Sequence, residues 1–184
     1  MDVGLAVALT LATSTCPTLA EVRTRVVSLK TMDWEGATSE GVAASALRTV
    51  RTIRRDEGHR LVSIGWIGPR TNAGGLSCAE GYSFAQPQAT RADHLKEVEF
   101  SFRLELGESA DGVAGGFQRL VGQPKDAESF TTDFTKHWCF DCGNEPSRTG
   151  YRWREGEVEV RLLVSITNDR LTTVRWSRTS RSRR

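Results

Sequence analysis

No apolar run in these 184 residues reaches the ~18–20 that a membrane-spanning helix needs, so no membrane span is expected. The short catalytic signatures are missing as well. There is no H-E-x-x-H, no G-x-S-x-G, no P-loop and no G-x-G-x-x-G, which leaves zinc peptidase, α/β-hydrolase and nucleotide-binding chemistries without support. Histidine is scarce, and His59, His94 and His137 sit in no motif. An excess of one charge is lacking too: 25 Lys and Arg stand against 23 Asp and Glu, a net of +2. That balance is too mild to imply a polyanion as partner of the whole chain. Internal repeats and low-complexity linkers are absent, and the length suits one domain. The sequence does hold 38% hydrophobic and 26% charged residues, ordinary for a globular protein with its own core.

The periodicities predict an α+β fold. Leu19, Val22, Val26, Leu29 and Met32 recur at helical steps after Thr18, which forms a T-x-x-E capping box with Glu21; Arg23, Arg25 and Lys30 are left for the wet side. A second helix is expected from Thr38 or Ser39 through Val42, Ala43, Ala46 and Leu47. Strands are expected at Leu61–Ile67, at Tyr82–Ala85 and, most clearly, at Lys96–Leu106. In that last strand Val98, Phe100, Phe102, Leu104 and Leu106 alternate with polar residues. Ser109 opens a third helix that ends at Gly122-Gln123-Pro124, and an irregular segment follows. A long C-terminal hairpin closes the chain. With Asn168-Asp169 as a two-residue turn, Ile166 would face Leu171, Leu163 would face Val174, and Arg161 would stack on Trp176. The expected architecture is an antiparallel sheet with helices packed on one face, the Phe face of the long strand lying under the third helix.

Three regions follow from this reading: residues 1–17 as an apolar N-terminal segment, 18–177 as the single domain, and 178–184 as an Arg/Ser-rich solvated tail. The first admits two interpretations. Val3 to Ala12 has the length of a signal-peptide core and Thr18-Leu19-Ala20 resembles a cleavage site, which would make this an exported protein. Against export, no Lys or Arg precedes the apolar run. Cleavage after Ala20 would also leave three of the four cysteines Cys16, Cys78, Cys139 and Cys142, which favours a reducing cytoplasm.

Cys139-Phe140-Asp141-Cys142 is the sharpest local motif. Zinc would need Cys78 and His137 or His94 to complete four ligands, but a structural zinc module normally shows two paired knuckles and only one is present. Thiol redox chemistry would need a helix N-terminus after the first cysteine, and Gly143-Asn144-Glu145-Pro146 is turn sequence instead. No metal or other cofactor is therefore expected. Glu97 and Glu99 read as carboxylates on a solvated strand face. The five tryptophans Trp34, Trp66, Trp138, Trp153 and Trp176 suit core packing first and a binding surface second; Trp34, Arg161 and Trp176 are the candidate interaction residues. Five arginines lie in the last ten residues without an aromatic platform, so nucleic-acid binding is not expected at physiological salt.

Val27-Ser28-Leu29-Lys30-Thr31-Met32-Asp33-Trp34 at the end of the first helix, Phe117-Gln118-Arg119-Leu120-Val121-Gly122-Gln123-Pro124 at the end of the third, and Trp153 before the last hairpin together resemble a group of small actinobacterial proteins classed as a domain of unknown function. In that group a helix ends in Asp-Trp and a Leu-x-Gly-x-Pro helix end precedes a Trp-led hairpin. Cys139 and Cys142 are not part of the pattern. The resemblance covers most of residues 18–177 and implies no catalytic residues. Proteins of this size and build include immunity proteins against secreted toxins. The expectation is thus a non-enzymatic interaction protein whose partner is another protein, with an immunity role as its narrower form. Two alternatives are a metal- or thiol-dependent activity at Cys139, Cys142 and Cys78, and an exported envelope protein that binds a small ligand.

Overall fold

A computed structural model describes residues 16–55, 61–68, 78–85, 94–104, 107–132, 148–167 and 171–180. Helices α1 (Leu19–Lys30) and α2 (Ser39–Ala44) come first, then strands β1 (Thr52–Arg55), β2 (Leu61–Ile67), β3 (Ala79–Ala85) and β4 (His94–Arg103). Helix α3 (Ala110–Val121) leads to β5 (Glu128–Thr132), β6 (Arg148–Glu155), β7 (Val158–Thr167) and β8 (Leu171–Ser180). The eight strands form one antiparallel sheet in the order β1-β2-β3-β4-β8-β7-β6-β5. Two four-strand meanders are thus joined where β4 meets β8, and α3 carries the chain from that seam to the far edge. This is the expected α+β fold, closed by the expected C-terminal hairpin.

Local signals place the helix ends. Thr18 and Glu21 form the capping box of α1 in both directions. Ser109 accepts from the Gly112 amide to start α3, and Gly122, at φ +78°, ends it in the left-handed conformation that a side chain would oppose. The second helix stops at Ala44, earlier than expected, because the Ser45 hydroxyl turns back onto the carbonyls of Gly41 and Val42.

One core lies between the helices and the sheet. Leu19, Val22, Val26 and Leu29 of α1 and Val113, Phe117 and Val121 of α3 meet Val98, Phe100 and Phe102 of β4 and Leu162, Val174 and Trp176 of β7 and β8. Phe100, Phe102 and Phe117 are completely buried, and the Phe102 and Phe117 rings stand 5.9 Å apart, as the alternation of the long strand implied. Arg25 departs from expectation. It is not on the wet side of α1 but 4% exposed, donating to the Tyr82 hydroxyl at 3.0 Å and to the Ser45 hydroxyl at 2.9 Å. Tyr82 in turn donates to Glu80 at 2.5 Å, and the Glu80 carboxylate accepts the Leu47 and Arg48 amides. This fully bonded chain ties α1, the segment after α2 and β3 together, and burial pushes the Tyr82 phenol far up.

The hairpin register differs by one residue from the expected one. Leu162 pairs with Trp176, Val164 with Val174, Arg161 with Ser177 and Thr167 with Leu171; the expected turn residues Asn168 and Asp169 lie outside the described residues. Apolar side chains occupy even positions on both strands. Only a register that pairs even with even puts both sets on the core face; a two-residue turn would pair even with odd and divide them. The last strand also runs to Ser180, with Arg178 opposite Val160 and Thr179 opposite Glu159, so Arg178 to Ser180 belong to the sheet and not to a tail. Arg178 pairs with Glu155 at 2.9 Å and lies 5.9 Å from the Trp34 ring. Two further strands, β5 and β6, occupy parts of the segment expected to be irregular.

Candidate functional site

The strict alternation of β4 that buries its Phe residues sends Glu97 and Glu99 to the opposite face of the sheet. Cross-strand pairing carries that face sideways. Glu97 lies opposite Ser177, which lies opposite Arg161; Glu99 lies opposite Arg175, which lies opposite Leu163. Leu163 is next to Gly150 of β6, and Gly150 next to Phe130 of β5. A Cβ at Gly150 would come within 2.6 Å of the Phe130 ring, so only glycine lets that ring lie across β6. At the other end, the register shift between Ser83 and Phe84 leaves Lys96 as an extra residue in β4 and turns it to the same side.

These residues, Glu99 and Gly150 apart, line a groove of about 480 Å3 together with Glu159 and Thr179. No described helix packs over it. Its charges are mostly matched: Arg161 donates through Nε to Glu159 at 2.6 Å, and Arg175 holds Glu99 with two contacts, at 2.9 and 2.7 Å. Glu97 is the exception. It is two-thirds buried, and its ion pair is a 3.8 Å approach to Arg175 Nε, the nitrogen that already donates to Glu99. Burial pushes its carboxyl above the usual range, with Glu99 adding to the effect and Arg175, Lys96 and Arg161 opposing it. Along the next row the face is drier: Ser101 and Thr173 share a hydrogen bond of 3.3 Å, and the buried Ser165 hydroxyl has no partner among the described residues. Such a surface can complement a partner's charge and cover an apolar group at Leu163 and Phe130. Glu97 apart, the carboxylates and guanidiniums of the groove are held against one another.

Arg161 is the one candidate interaction residue that falls in the groove. Trp34 and Trp176 are on the far side of the sheet, 6% and 1% exposed, their rings edge to face at 5.0 Å. The Trp34 indole donates to the Leu29 carbonyl at 2.7 Å. Neither can anchor a partner, and Arg161 cannot stack on Trp176 because the two point to opposite faces. Cys78 is bonded to Cys16 in a disulfide of 2.06 Å and is fully buried, so it is no thiolate ligand beside Cys139 and Cys142. Cys139, Cys142 and His137 lie outside the described residues. Among the described residues no group of three or more His, Cys, Asp or Glu could hold a metal ion, and no helix is long and apolar enough to cross a membrane.

Glu97, Arg175 and Glu159 were not among the candidate residues. Their alternation along the strands was visible, but what makes Glu97 distinctive is its pairing with Ser177 of β8, 80 residues further along the chain. No family model, no curated protein and no solved structure matches this chain.

Proposed function

We infer that this chain is a non-enzymatic interaction protein that receives another protein on the face of its sheet that no described helix covers. One observation carries the reading: a charged groove with an apolar end lies on the only sheet face that no described helix covers. Partly desolvated charges around an apolar patch give an interface its specificity, whereas the aromatic residues first considered as anchors stabilise the core. The immunity role implied by the family resemblance is the narrower form of this reading, with a secreted toxin as partner at the same face. A small ligand in the groove of an exported protein is the second reading. Its support is the Cys16–Cys78 bridge, since disulfides persist in oxidising compartments; that support holds only where cleavage leaves Cys16 on the chain, not after Ala20.

The test compares two baits in an extract of the source organism: the wild-type chain and a double variant, Arg161→Glu with Ser177→Arg, whose charges are inverted and whose groove is filled. Ser177 is only 9% exposed, so the variant's melting temperature is expected to fall, and the baits are compared below the lower of the two melting transitions. A protein retained by the wild type and lost from the variant is the expected result. Equal retention by both baits would move the interaction off this face.

A further inference from the structure

Among the described residues, the groove's close ion pairs leave out Glu97 and Lys96. Arg161 is engaged by Glu159 and Arg175 by Glu99. Lys96 lines the same groove yet stands exposed, with no ion pair to Glu97. We propose that Glu97 is the receptor for a basic side chain of the partner, a lysine ammonium or arginine guanidinium, and that Leu163 and Phe130 receive an apolar side chain of the same segment. This rests on the binding role assigned above to the face that no described helix covers and adds the chemistry of the occupant.

Charge and spacing both support it. A carboxylate two-thirds buried, with a single long ion-pair contact, gains most from a cation that arrives with its own hydrogen-bond donors. Ser177, directly opposite Glu97 and itself buried, offers a hydroxyl beside it. From Glu97 to Leu163 the sheet runs two strands over and two residues along, roughly 12 Å at ~4.8 Å per strand and ~3.4 Å per residue. In an extended segment, residues i and i+2 point the same way ~7 Å apart, and the reach of a lysine side chain covers the rest. An anionic occupant would instead add a third carboxylate beside Glu97 and Glu99.

The probes are two N-acetylated, C-amidated tripeptides, Lys-Ser-Phe and Glu-Ser-Phe, titrated into the full chain and followed by NMR. The lysine peptide should shift the Leu163 methyls and the Ser177 amide saturably, and the glutamate peptide should not. Glu97→Gln should weaken the lysine peptide about tenfold or more. That variant is expected to fold at least as well as the wild type, because burial already disfavours the Glu97 charge. Affinity for the lysine peptide should also fall with acidification as Glu97 takes up its proton, since only the carboxylate attracts a cation. If the glutamate peptide binds as tightly, or Glu97→Gln changes nothing, the basic occupant is wrong while the face remains a binding face. If neither peptide moves the groove resonances the occupant is again wrong, and the paired-bait comparison alone then decides the role of the face.

Discussion

Glu21 shows how much a single side chain can carry at the entry to the fold. It caps α1 by accepting the Thr18 amide at 2.7 Å and, from the same carboxylate, holds Arg48 of the segment after α2 at 3.0 Å. The Arg48 contact and the Thr18 amide lower its carboxyl from 4.5 to about 2. A depressed folded-state value means a stabilisation present above the unfolded value and lost as the proton binds. The contribution should therefore be complete above pH 5 and fade between about 4.5 and 2. The side chain is 39% exposed, so solvent screening reduces it to about 1 kcal/mol. Urea titrations of wild type and Glu21→Gln at several pH values should show that difference at pH 7 and none near pH 2. A difference independent of pH would assign the effect to the neutral capping hydrogen bond alone. Half of this role was legible: T-x-x-E before an apolar stripe is a local code. The Arg48 half was not, because it depends on how the chain returns after α2. Arg25 went astray for the same reason; a charge at a helix position reads as wet until its buried partners, Tyr82 and Ser45, are known.

At the scale of elements, alternation made β4 legible to the residue, since a period of two admits one buried face and Val98, Phe100 and Phe102 declare it. The hairpin was harder. Its strands were evident, but Asn168-Asp169 suggested a turn length that the apolar positions of β7 and β8 do not allow. The end of β8 was hidden by composition: arginine, serine and threonine after Trp176 look like a frayed tail. In the fold Arg178 spans Trp34 and Glu155, and Glu155 in turn accepts from the Trp153 indole at 3.1 Å. The guanidinium thus seals the edge of the tryptophan cluster and keeps its charge paired. Deleting residues 178–184 should therefore cost about 2 kcal/mol, or roughly 4–8 °C in melting temperature for a chain of this size. Arg178→Ala in the full-length chain should reproduce part of that loss. A melting temperature unchanged by the deletion would return these residues to a dispensable tail.

Across the whole molecule, the Cys16–Cys78 bridge is the longest covalent constraint, and the spacing of the cysteines did not reveal it. Four cysteines allow several pairings, and the C-x-x-C motif drew attention away from the two that are 62 residues apart. The bridge fastens the residue just before α1 to the start of β3, enclosing α1, α2, β1 and β2. Cleavage after Ala20 would remove both Cys16 and the cap on α1. Closing a loop of that length removes unfolded-state entropy worth about 4 kcal/mol at 25 °C. Because Cys78 is fully buried, a reductant should act slowly on the native protein, and the clean comparison is the Cys16→Ser, Cys78→Ser double variant. Its urea midpoint should fall. Its m-value should rise, since an unfolded chain without the cross-link exposes more surface. Wild type unfolded with dithiothreitol present should match the variant in both quantities. An unchanged midpoint and m-value would show that helices and sheet hold this half of the molecule without the bridge. A lower midpoint at constant m would place the loss in native packing around Cys78, where the Gly68 amide donates to its carbonyl at 2.7 Å, and not in the unfolded chain.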